Sequence, residues 1–316
     1  MSDIILALNE AKKQLRTMRD FFRFMVSSFS QSELCYGHGT ANYYEEAVYL
    51  ICHTLRLPID LSKEEFNLYL DAKLLDSEIE KLIHVIQKRA IDKIPSPYIT
   101  HQAICQGYEF YVDERVIIPR SFIAEIIVND GLSKWIEYKE LVNNILDLCT
   151  GNGSIAIIAK DHFYDSNVVA VDIDSDALAV AKINVEKYGF SQEIELVESD
   201  LYKNLSKYEG VFDLILTNPP YVDRECMDLL TTEYQHEPEL ALDGGGDGLL
   251  LIDEILRNAA NYLSDFGVLV VEMGDNVEEL MDKYPDTSFQ WLTTKSGEGF
   301  VFLLEKADLD ELNARR

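Results

Sequence analysis

The chain is short of basic residues. Among its 316 residues, 28 are Lys or Arg and 56 are Asp or Glu, which gives a formal net charge of −28. Such a surface repels a phosphate backbone unless a local basic groove exists, and the sequence contains no basic cluster. The deficit argues against a nucleic-acid substrate and favours a basic protein partner, although solubility alone explains an acidic surface as well.

Paired cysteines and long apolar runs are also missing. The five cysteines are odd in number, scattered, and never form a C-x-x-C pair: Cys35, Cys52, Cys105, Cys149 and Cys226. This spacing excludes a disulfide framework and gives no metal site, so we expect buried, reduced thiols. No apolar run approaches the roughly 18 residues of a membrane span, and no basic leader precedes a cleavage site. We therefore expect a cytoplasmic protein.

What the chain does have is enough length and apolar content (47%) for two folded units. Its first hundred residues repeat apolar positions every three or four residues, which predicts helices over Ile4–Phe29, Tyr44–Leu55 and Ser77–Ala90. Around Gly107 the composition changes to β-branched and aromatic residues, which predicts a hairpin within Ala103–Val112 that joins the two units.

The second half alternates short apolar runs with helical patterns. The predicted strands are Ile145–Asp147, Val168–Asp172, Ile194–Val197, Phe212–Thr217, Val268–Met273 and Phe300–Leu304. The predicted helices between them are Ser154–Lys160, Ser175–Lys187 and Leu249–Leu263. This βαβ series predicts a doubly wound, mostly parallel sheet that binds ligands at the carboxyl ends of its strands.

The first candidate site is a glycine turn. In ILDLCTGNGSIAIIA, which begins at Ile145, a strand runs through Thr150–Gly153 into a helix. Glycines let a ligand approach the turn, and the helix N-terminus supplies free N–H groups. Gly151-x-Gly153-x-x-Ala156 also fits the dinucleotide fingerprint, and a plain tight turn looks similar, so this stretch alone leaves the ligand open.

The next two strand ends add nucleoside-binding chemistry. VVAVDID ends a strand at Asp172, 19 residues after Gly153, where a carboxylate can accept both hydroxyls of a ribose. LVESDLY places Asp200 and Leu201 at the same edge, where an acidic side chain and an apolar neighbour could hold an adenine. Asp172 could instead cap the next helix, but Asp174 or Ser175 can do that without it.

The fourth strand ends in LTNPPYVD, which decides between cofactors. A planar nitrogen has its lone pair delocalised, so methylating it requires acceptors for its N–H bonds. The side-chain oxygen of Asn218 and the carbonyl of Pro219 can accept one each, Pro220 stiffens the turn, and Tyr221 can stack on the flat group. Hydride transfer needs nothing of this kind, whereas an ordinary Asn-Pro turn is the simpler alternative.

Together these motifs resemble the class I S-adenosylmethionine-dependent methyltransferases that use Asn-Pro-Pro-Tyr to methylate planar amino groups. GYEFYVDERVIIPRS, DLCTGNGSIAI and NPPYVD are similar to the protein glutamine N(5)-methyltransferases, with a helical unit before the Rossmann-like domain. CYGHGTANYYEEAVYLI and EYQHEPELALDGGGDGL resemble the branch of that family that acts on the large-subunit ribosomal protein L-three. The resemblance covers about Phe22 to Leu304.

The resemblance implies S-adenosylmethionine as cofactor and one glutamine of ribosomal protein L-three as substrate. It implies a helical substrate-recognition domain over 1–100, a hairpin linker over 101–120 and a catalytic domain over 121–316. The residues it assigns to the cofactor are Asp147, Cys149, Thr150, Gly151, Asn152, Gly153, Asp172, Asp200, Leu201 and Asn218, and those it assigns to catalysis are Asn218, Pro219, Pro220 and Tyr221.

Two positions depart from the usual pattern, and other functions stay open. Cys149 stands where many class I enzymes have a glycine, and Leu201 stands where the release-factor branch often has an aromatic residue. Within the family the alternative substrate is a peptide release factor. Outside it, the alternatives are an adenine amino group in nucleic acid, a nicotinamide enzyme, and a non-catalytic assembly factor.

Overall fold

The computed structural model describes residues 2–295, 297 and 299–315 of the chain. It divides into two compact units. The helical unit contains the residues up to Gln102 together with Thr231–His236, and the sheet unit contains Ala103–Leu230 and the residues from Glu237 onwards. Within the described ranges, no helix combines the length and the apolar character needed to cross a membrane.

The helical unit packs its helices around one apolar core. Its helices are α1 (Ser2–Gln14), α2 (Met18–Ser30), α3 (Tyr43–Leu55), α4 (Lys63–Tyr69), α5 (Asp76–Ala90) and α6 (Ser96–Thr100). Phe21 and Met25 of α2, Leu50 of α3, and Leu82 and Ile86 of α5 are fully buried together. Each helix turns one apolar stripe inward, as the three- and four-residue spacing predicts.

The single helical pattern predicted over Ile4–Phe29 is wrong, because the structure has two helices there. Thr17 caps α2 by accepting a hydrogen bond from the Asp20 N–H at 3.2 Å. The Asp20 carboxylate accepts in return from the backbone N–H groups of Thr17 (3.0 Å) and Arg16 (3.1 Å). This reciprocal cap ends one helix and starts the next, while the apolar spacing continues through the break. Helices α4 and α6 were not predicted.

A buried ion-pair cluster holds Thr231–His236 inside the helical unit. The Arg89 guanidinium donates to Glu46 at 3.0 Å and to Glu233 at 3.1 Å, and these three side chains are at most 2% exposed. Arg89 also donates to the Cys35 carbonyl at 2.8 Å, and the Cys35 N–H donates to Glu233 at 2.9 Å. We define Glu46, Arg89 and Glu233 as the buried triad.

The sheet unit is a doubly wound α/β fold. Its strands are β1 (Ala103–Cys105), β2 (Tyr108–Phe110), β3 (Asn144–Leu148), β4 (Asn167–Asp172), β5 (Ile194–Glu198), β6 (Phe212–Thr217), β7 (Leu263–Glu272), β8 (Gln290–Trp291) and β9 (Val301–Glu305). Its helices are α7 (Phe122–Val128), α8 (Ser154–His162), α9 (Ser175–Tyr188), α10 (Arg224–Met227), α11 (Leu250–Tyr262), α12 (Val277–Lys283) and α13 (Lys306–Ala314).

The main sheet has the order β5-β4-β3-β6-β7-β9-β8 among the described residues. Strands β5, β4, β3, β6 and β7 are parallel to one another, and β9 runs antiparallel to both its neighbours. Both faces are covered: in β7, Val268 and Val270 pack with one core cluster, and Leu269 and Val271 pack with the other. The predicted mostly parallel sheet is confirmed, because strands buried on both faces read as continuous apolar runs.

The predicted hairpin is also confirmed. β1 and β2 pair antiparallel around Gln106 and Gly107, which both have positive φ (50° and 86°), the conformation that suits a two-residue hairpin turn. The hairpin belongs to the sheet unit, where its Glu109 N–H donates to the Tyr188 hydroxyl of α9 at 2.9 Å.

Candidate active site

The turn between β3 and α8 follows a left-handed backbone path at three of its residues. Cys149, Gly151 and Gly153 all have positive φ (58°, 55° and 80°), so the chain curls tightly before the helix begins. At Gly153 a Cβ would also lie 3.3 Å from the Cβ of Ala181 in α9, so the glycine allows two helices to approach. At Gly151 a Cβ would meet nothing, which leaves that side of the turn free for a ligand.

Asp147 lies beneath this turn and does not line the cleft described below. Its side chain is fully buried, and one oxygen accepts from the Thr150 hydroxyl at 2.5 Å and from the Ala156 N–H at 3.1 Å. Burial raises the pKa of its carboxyl to about 7. These contacts fix the turn, and the predicted contact of Asp147 with a cofactor stays a prediction.

Asp172, at the end of β4, reaches back to the same turn. Its carboxylate accepts from the Gly151 N–H at 2.8 Å and from the Asp174 N–H at 3.0 Å. Burial raises the pKa of this carboxyl. The cap of α9 is Asp174, which accepts from the Asp176 N–H at 2.8 Å, so Asp172 is not needed as a cap.

Asp200 and Leu201 follow β5 at the same edge of the sheet. Leu201 is buried and has a positive φ of 46°, held by the Ser199 hydroxyl, which donates to the Leu201 carbonyl at 2.8 Å. Asp200 is partly exposed and pairs with Lys203 at 2.5 Å. The apolar side chain therefore faces inward and the carboxylate lies at the rim.

A single cleft joins these strand ends. It encloses about 1040 Å³, counting the part open to solvent, and its wall includes Cys149, Thr150, Gly151, Asn152, Asp172, Asp200, Leu201, Asn218 and Pro220. Four predicted site residues are not among those that line the cleft: Asp147, Gly153, Pro219 and Tyr221.

The motif after β6 brings an unused acceptor to the cleft. The Thr217 hydroxyl donates to the Leu148 carbonyl of β3 at 3.0 Å, which fixes the strand end just before Asn218. The side-chain oxygen of Asn218 is buried and accepts no hydrogen bond from the described residues. The following residues, Pro219 and Pro220, are buried, so the turn is rigid. A buried acceptor without a donor costs free energy unless a ligand supplies one.

Asn152, which also lines the cleft, has an unused donor. Its side-chain oxygen accepts from the Ser154 N–H at 3.2 Å, but its buried Nδ2 donates to none of the described residues. A ligand that offers an acceptor near Asn152, hydroxyls near Asp172 and an N–H donor near Asn218 satisfies all three. An adenosyl amino acid beside an amide substrate has these groups, and the residues therefore fit that pair.

Four residues at the site were not predicted from the sequence: Arg120, Ser121, Glu237 and Glu272. Arg120, on the cleft wall, makes a bidentate ion pair with the buried Glu237 at 2.8 and 2.9 Å. Ser121, next to it, donates to the buried Glu272 at 2.6 Å, and burial raises the pKa of that carboxyl to about 7. Glu237 and Glu272 lie far from Arg120 in sequence, and charge alone marks none of them.

Asn184 of α9 is another residue at the site that was not predicted from the sequence. It is fully buried and donates to the backbone carbonyl of Asn152 at 2.9 Å and to that of Tyr111 at 3.0 Å. Its own oxygen accepts from the Tyr111 N–H at 2.7 Å. An asparagine inside a helical pattern gave no signal of this link between the hairpin segment and the glycine turn.

The doubly wound sheet, the nucleoside-type cleft and the amide-accepting motif define a methyltransferase. Residues 132–283 match the family model described as "Methyltransferase small domain". Named ribosomal protein uL3 glutamine methyltransferases are close relatives. The protein of Neisseria meningitidis serogroup B is 52% identical over 96% of this chain and 98% of its own length.

Two more relatives carry the same name. The protein of Neisseria gonorrhoeae is 52% identical over 95% of this chain and 98% of its own length, and that of Burkholderia pseudomallei is 44% identical over 93% and 96%. The chain belongs to the family of ribosomal protein uL3 glutamine methyltransferases. The family predicted from the motifs is confirmed.

Proposed function

We propose that this enzyme transfers a methyl group from S-adenosylmethionine to the side-chain amide nitrogen of one glutamine in ribosomal protein uL3, the large-subunit protein L-three. The observation that carries the proposal is the buried, unpartnered oxygen of Asn218 on the wall of the cleft. Relatives that share about half of the sequence over nearly the full length carry the name of that activity. Ribosomal proteins are made in the cytoplasm, and we place the reaction there.

The cleft supports binding of an adenosyl cofactor. We assign Asp172 to the two ribose hydroxyls, Leu201 and Asp200 to the adenine, and the Gly151 turn, with the unused Nδ2 of Asn152, to the amino-acid end. The bound cofactor supplies an electrophilic methyl group on a sulfonium. The residues that hold it are positioned before it binds, because Asp172 and Asp147 already fix the turn from two sides.

The amide is held by Asn218 and the motif that follows. The Asn218 oxygen and the Pro219 carbonyl accept the two N–H bonds of the glutamine amide, which draws its lone pair out of conjugation. Tyr221 stacks on the planar group. After the new N–C bond has formed, the nitrogen is cationic and acidic, and water takes the proton. No protein base is required.

The charge distribution supports a basic substrate that is attracted to the sheet unit. The sheet unit holds 41 of the 56 acidic residues and 16 of the 28 basic ones, a formal charge of −25, whereas the helical unit, with 15 and 12, is at −3. Next to the motif, hydrogen bonding to Asp223 and the charges of Glu225 and Asp275 raise the pKa of the Cys226 thiol, so these carboxylates lie near Cys226. A basic segment around the target glutamine would be attracted to this edge.

We also propose that the helical unit recognises the folded substrate and that the boundaries at 100 and 120 separate recognition from catalysis. This unit is nearly neutral, so it is expected to contribute shape and apolar contact.

Salt screens the attraction between the acidic sheet unit and a basic substrate. Raising the salt concentration from about 50 to 300 mM is therefore expected to raise KM for uL3 several-fold with kcat unchanged.

The experiment that tests the proposed chemistry replaces the unused acceptor. Asn218→Ala is expected to lower kcat by about 10²–10³-fold, because one positioned acceptor is lost. Its affinity for S-adenosylmethionine should change little, since Asp172 and the Gly151 turn remain. Asn167→Ala, at the exposed start of β4, is the matched asparagine control and should behave as wild type. Full activity in Asn218→Ala would contradict the mechanism, and a wild-type enzyme that binds uL3 without methylating it would favour an assembly factor.

A further inference from the structure

Three glycines from two separate segments pack closely against Tyr221, the last residue of the Asn218–Tyr221 motif. A Cβ at Gly244 would lie 2.6 Å from the Tyr221 Cα, and one at Gly248 would lie 2.4 Å from the Tyr221 carbonyl oxygen. A Cβ at Gly274, just after β7, would lie 2.8 and 2.9 Å from the Cδ2 and Cε2 atoms of the Tyr221 ring. Real Cβ atoms do not approach other heavy atoms this closely, so each position admits only glycine while Tyr221 stays in place.

At two of the three positions the backbone conformation does not explain the glycine. Gly248 has a positive φ of 72°, which disfavours other residues in any case, but Gly244 and Gly274 have no such φ. At these two positions the glycine is explained by the short distance to Tyr221, which leaves no room for a Cβ. Gly246, in the same glycine run, also lacks a positive φ and would place a Cβ within 4 Å of nothing.

Backbone hydrogen bonds hold the glycine run against the motif. The Val222 N–H donates to the Leu242 carbonyl at 2.9 Å, and the Gly244 N–H donates to the Val222 carbonyl at 2.8 Å. The Asn276 side chain, two residues after Gly274, donates to the Asp247 carbonyl at 3.0 Å and so links the two glycine segments. Tyr221 therefore sits between segments that are tied to each other and to the residue after it.

We propose that Gly244, Gly248 and Gly274 form a cage that sets the position of Tyr221 and, through it, of the amide acceptors. They are positioning residues, because they touch the motif and not the substrate. Thr217 fixes the start of the motif through β3, the two prolines stiffen its middle, and the cage fixes its end. The inference rests on the proposed function for its effect on catalysis, but the packing itself can be tested without any substrate.

The test uses Gly274→Ala, because its clash is with a side chain that can be removed. The ring must move by about 1 Å to admit the methyl group, and a displacement of this size can cost about 10²-fold in rate. We expect kcat to fall by about ten- to a hundredfold, with unchanged KM for the cofactor. The thermal midpoint is expected to fall by roughly 3–8 °C through overpacking. Gly246→Ala is the matched control and should match wild type.

A double variant separates the cage from a general need for glycine. In the Tyr221→Ala background the ring is gone, so Gly274→Ala should lower neither the thermal midpoint nor the residual rate further. Gly244→Ala should not be rescued in this way, because its clash is with the Tyr221 backbone.

Each outcome decides the proposal. If Gly274→Ala does not fold, the proposed cage requires that the double variant Tyr221→Ala/Gly274→Ala folds. A double variant that also fails to fold would overturn the proposal. An equal loss at Gly246 and Gly274 would also overturn it. If wild type fails to methylate uL3 while the midpoints follow the expected pattern, the cage stands and the proposed function fails.

Discussion

Replacing Arg89 tests whether the buried triad holds the helical unit together. The buried triad carries two carboxylates and one guanidinium, so Arg89→Met leaves two buried carboxylates without a counter-charge. Each keeps one hydrogen bond, Glu46 from the Ser96 hydroxyl at 2.6 Å and Glu233 from the Cys35 N–H at 2.9 Å. Breaking a buried pair by removing one partner costs about 3–5 kcal/mol, because the charge left behind is neither solvated nor paired. The Cys35 carbonyl loses its donor as well. For a unit of this size the loss corresponds to a fall of roughly 15–20 °C in its thermal midpoint.

The structure offers a matched control and a partial rescue. Arg19 pairs with Asp71 at 2.9 Å in the same unit, but both side chains are exposed, so Arg19→Met should change the midpoint very little. Adding Glu46→Gln to Arg89→Met removes one of the two buried carboxylate charges that have lost their guanidinium, and it should restore part of the stability. Burial opposes ionisation of Glu233, but the Cys35 N–H and the Arg89 guanidinium outweigh it and lower the pKa of that carboxyl.

The assay is circular dichroism followed through heating and urea unfolding, with the two units treated as separate transitions. Arg89→Met should shift the transition of the helical unit and leave cofactor binding in the sheet unit intact. A midpoint no lower than that of Arg19→Met would refute the reasoning, because it would mean that the buried charges are solvated or protonated at little cost. If Glu46→Gln restored no stability, the fall in the thermal midpoint would come from lost packing of the Arg89 side chain and not from unpaired buried carboxylates.

Two further predictions concern the sheet unit. Asp172→Asn should weaken S-adenosylmethionine binding by about ten- to a hundredfold in calorimetry, because the hydrogen bonds from the two ribose hydroxyls lose a charged acceptor. Asp176→Asn, on the exposed face of α9, is the control and should leave this binding unchanged. Glu272 has a folded-state pKa of about 7, above its ordinary 4.5, so between these values the folded protein keeps a proton that the unfolded chain has lost. Stability should therefore fall as pH rises through this window, and Glu272→Gln should flatten that part of the thermal stability profile; an unchanged slope would contradict it.

The sheet and the cleft could be predicted because local signals and the fold agree there. Strands such as β6 are buried on both faces and read as continuous apolar runs, and parallel strands bring their carboxyl ends to one edge. That rule predicts Asp172, Leu201 and Asn218 at one edge of the sheet, and all three line the cleft. The break between α1 and α2 was missed because apolar spacing continues through it, although the Thr17-x-x-Asp20 cap was visible in the sequence.

The contacts that order the site could not be predicted because they join distant parts of the chain. Glu233 pairs with Arg89 across 144 residues, and nothing in its neighbourhood distinguishes it from the other carboxylates. The run Gly244–Gly246 reads as a flexible loop, yet only the first of the three is in contact with Tyr221. Such roles depend on where the sheet places Tyr221, and the sequence alone does not contain that distance.

The central claim is tested most directly by following a labelled methyl group. The purified enzyme is incubated with labelled S-adenosylmethionine and either free uL3 or the peptide release factors, and peptide mass spectrometry locates any added methyl. The account predicts one methyl on the side chain of a single glutamine of uL3, none on the release factors, and almost none with Asn218→Ala. Label on the release factors alone would contradict the assigned substrate, and label on neither protein would contradict the chemistry.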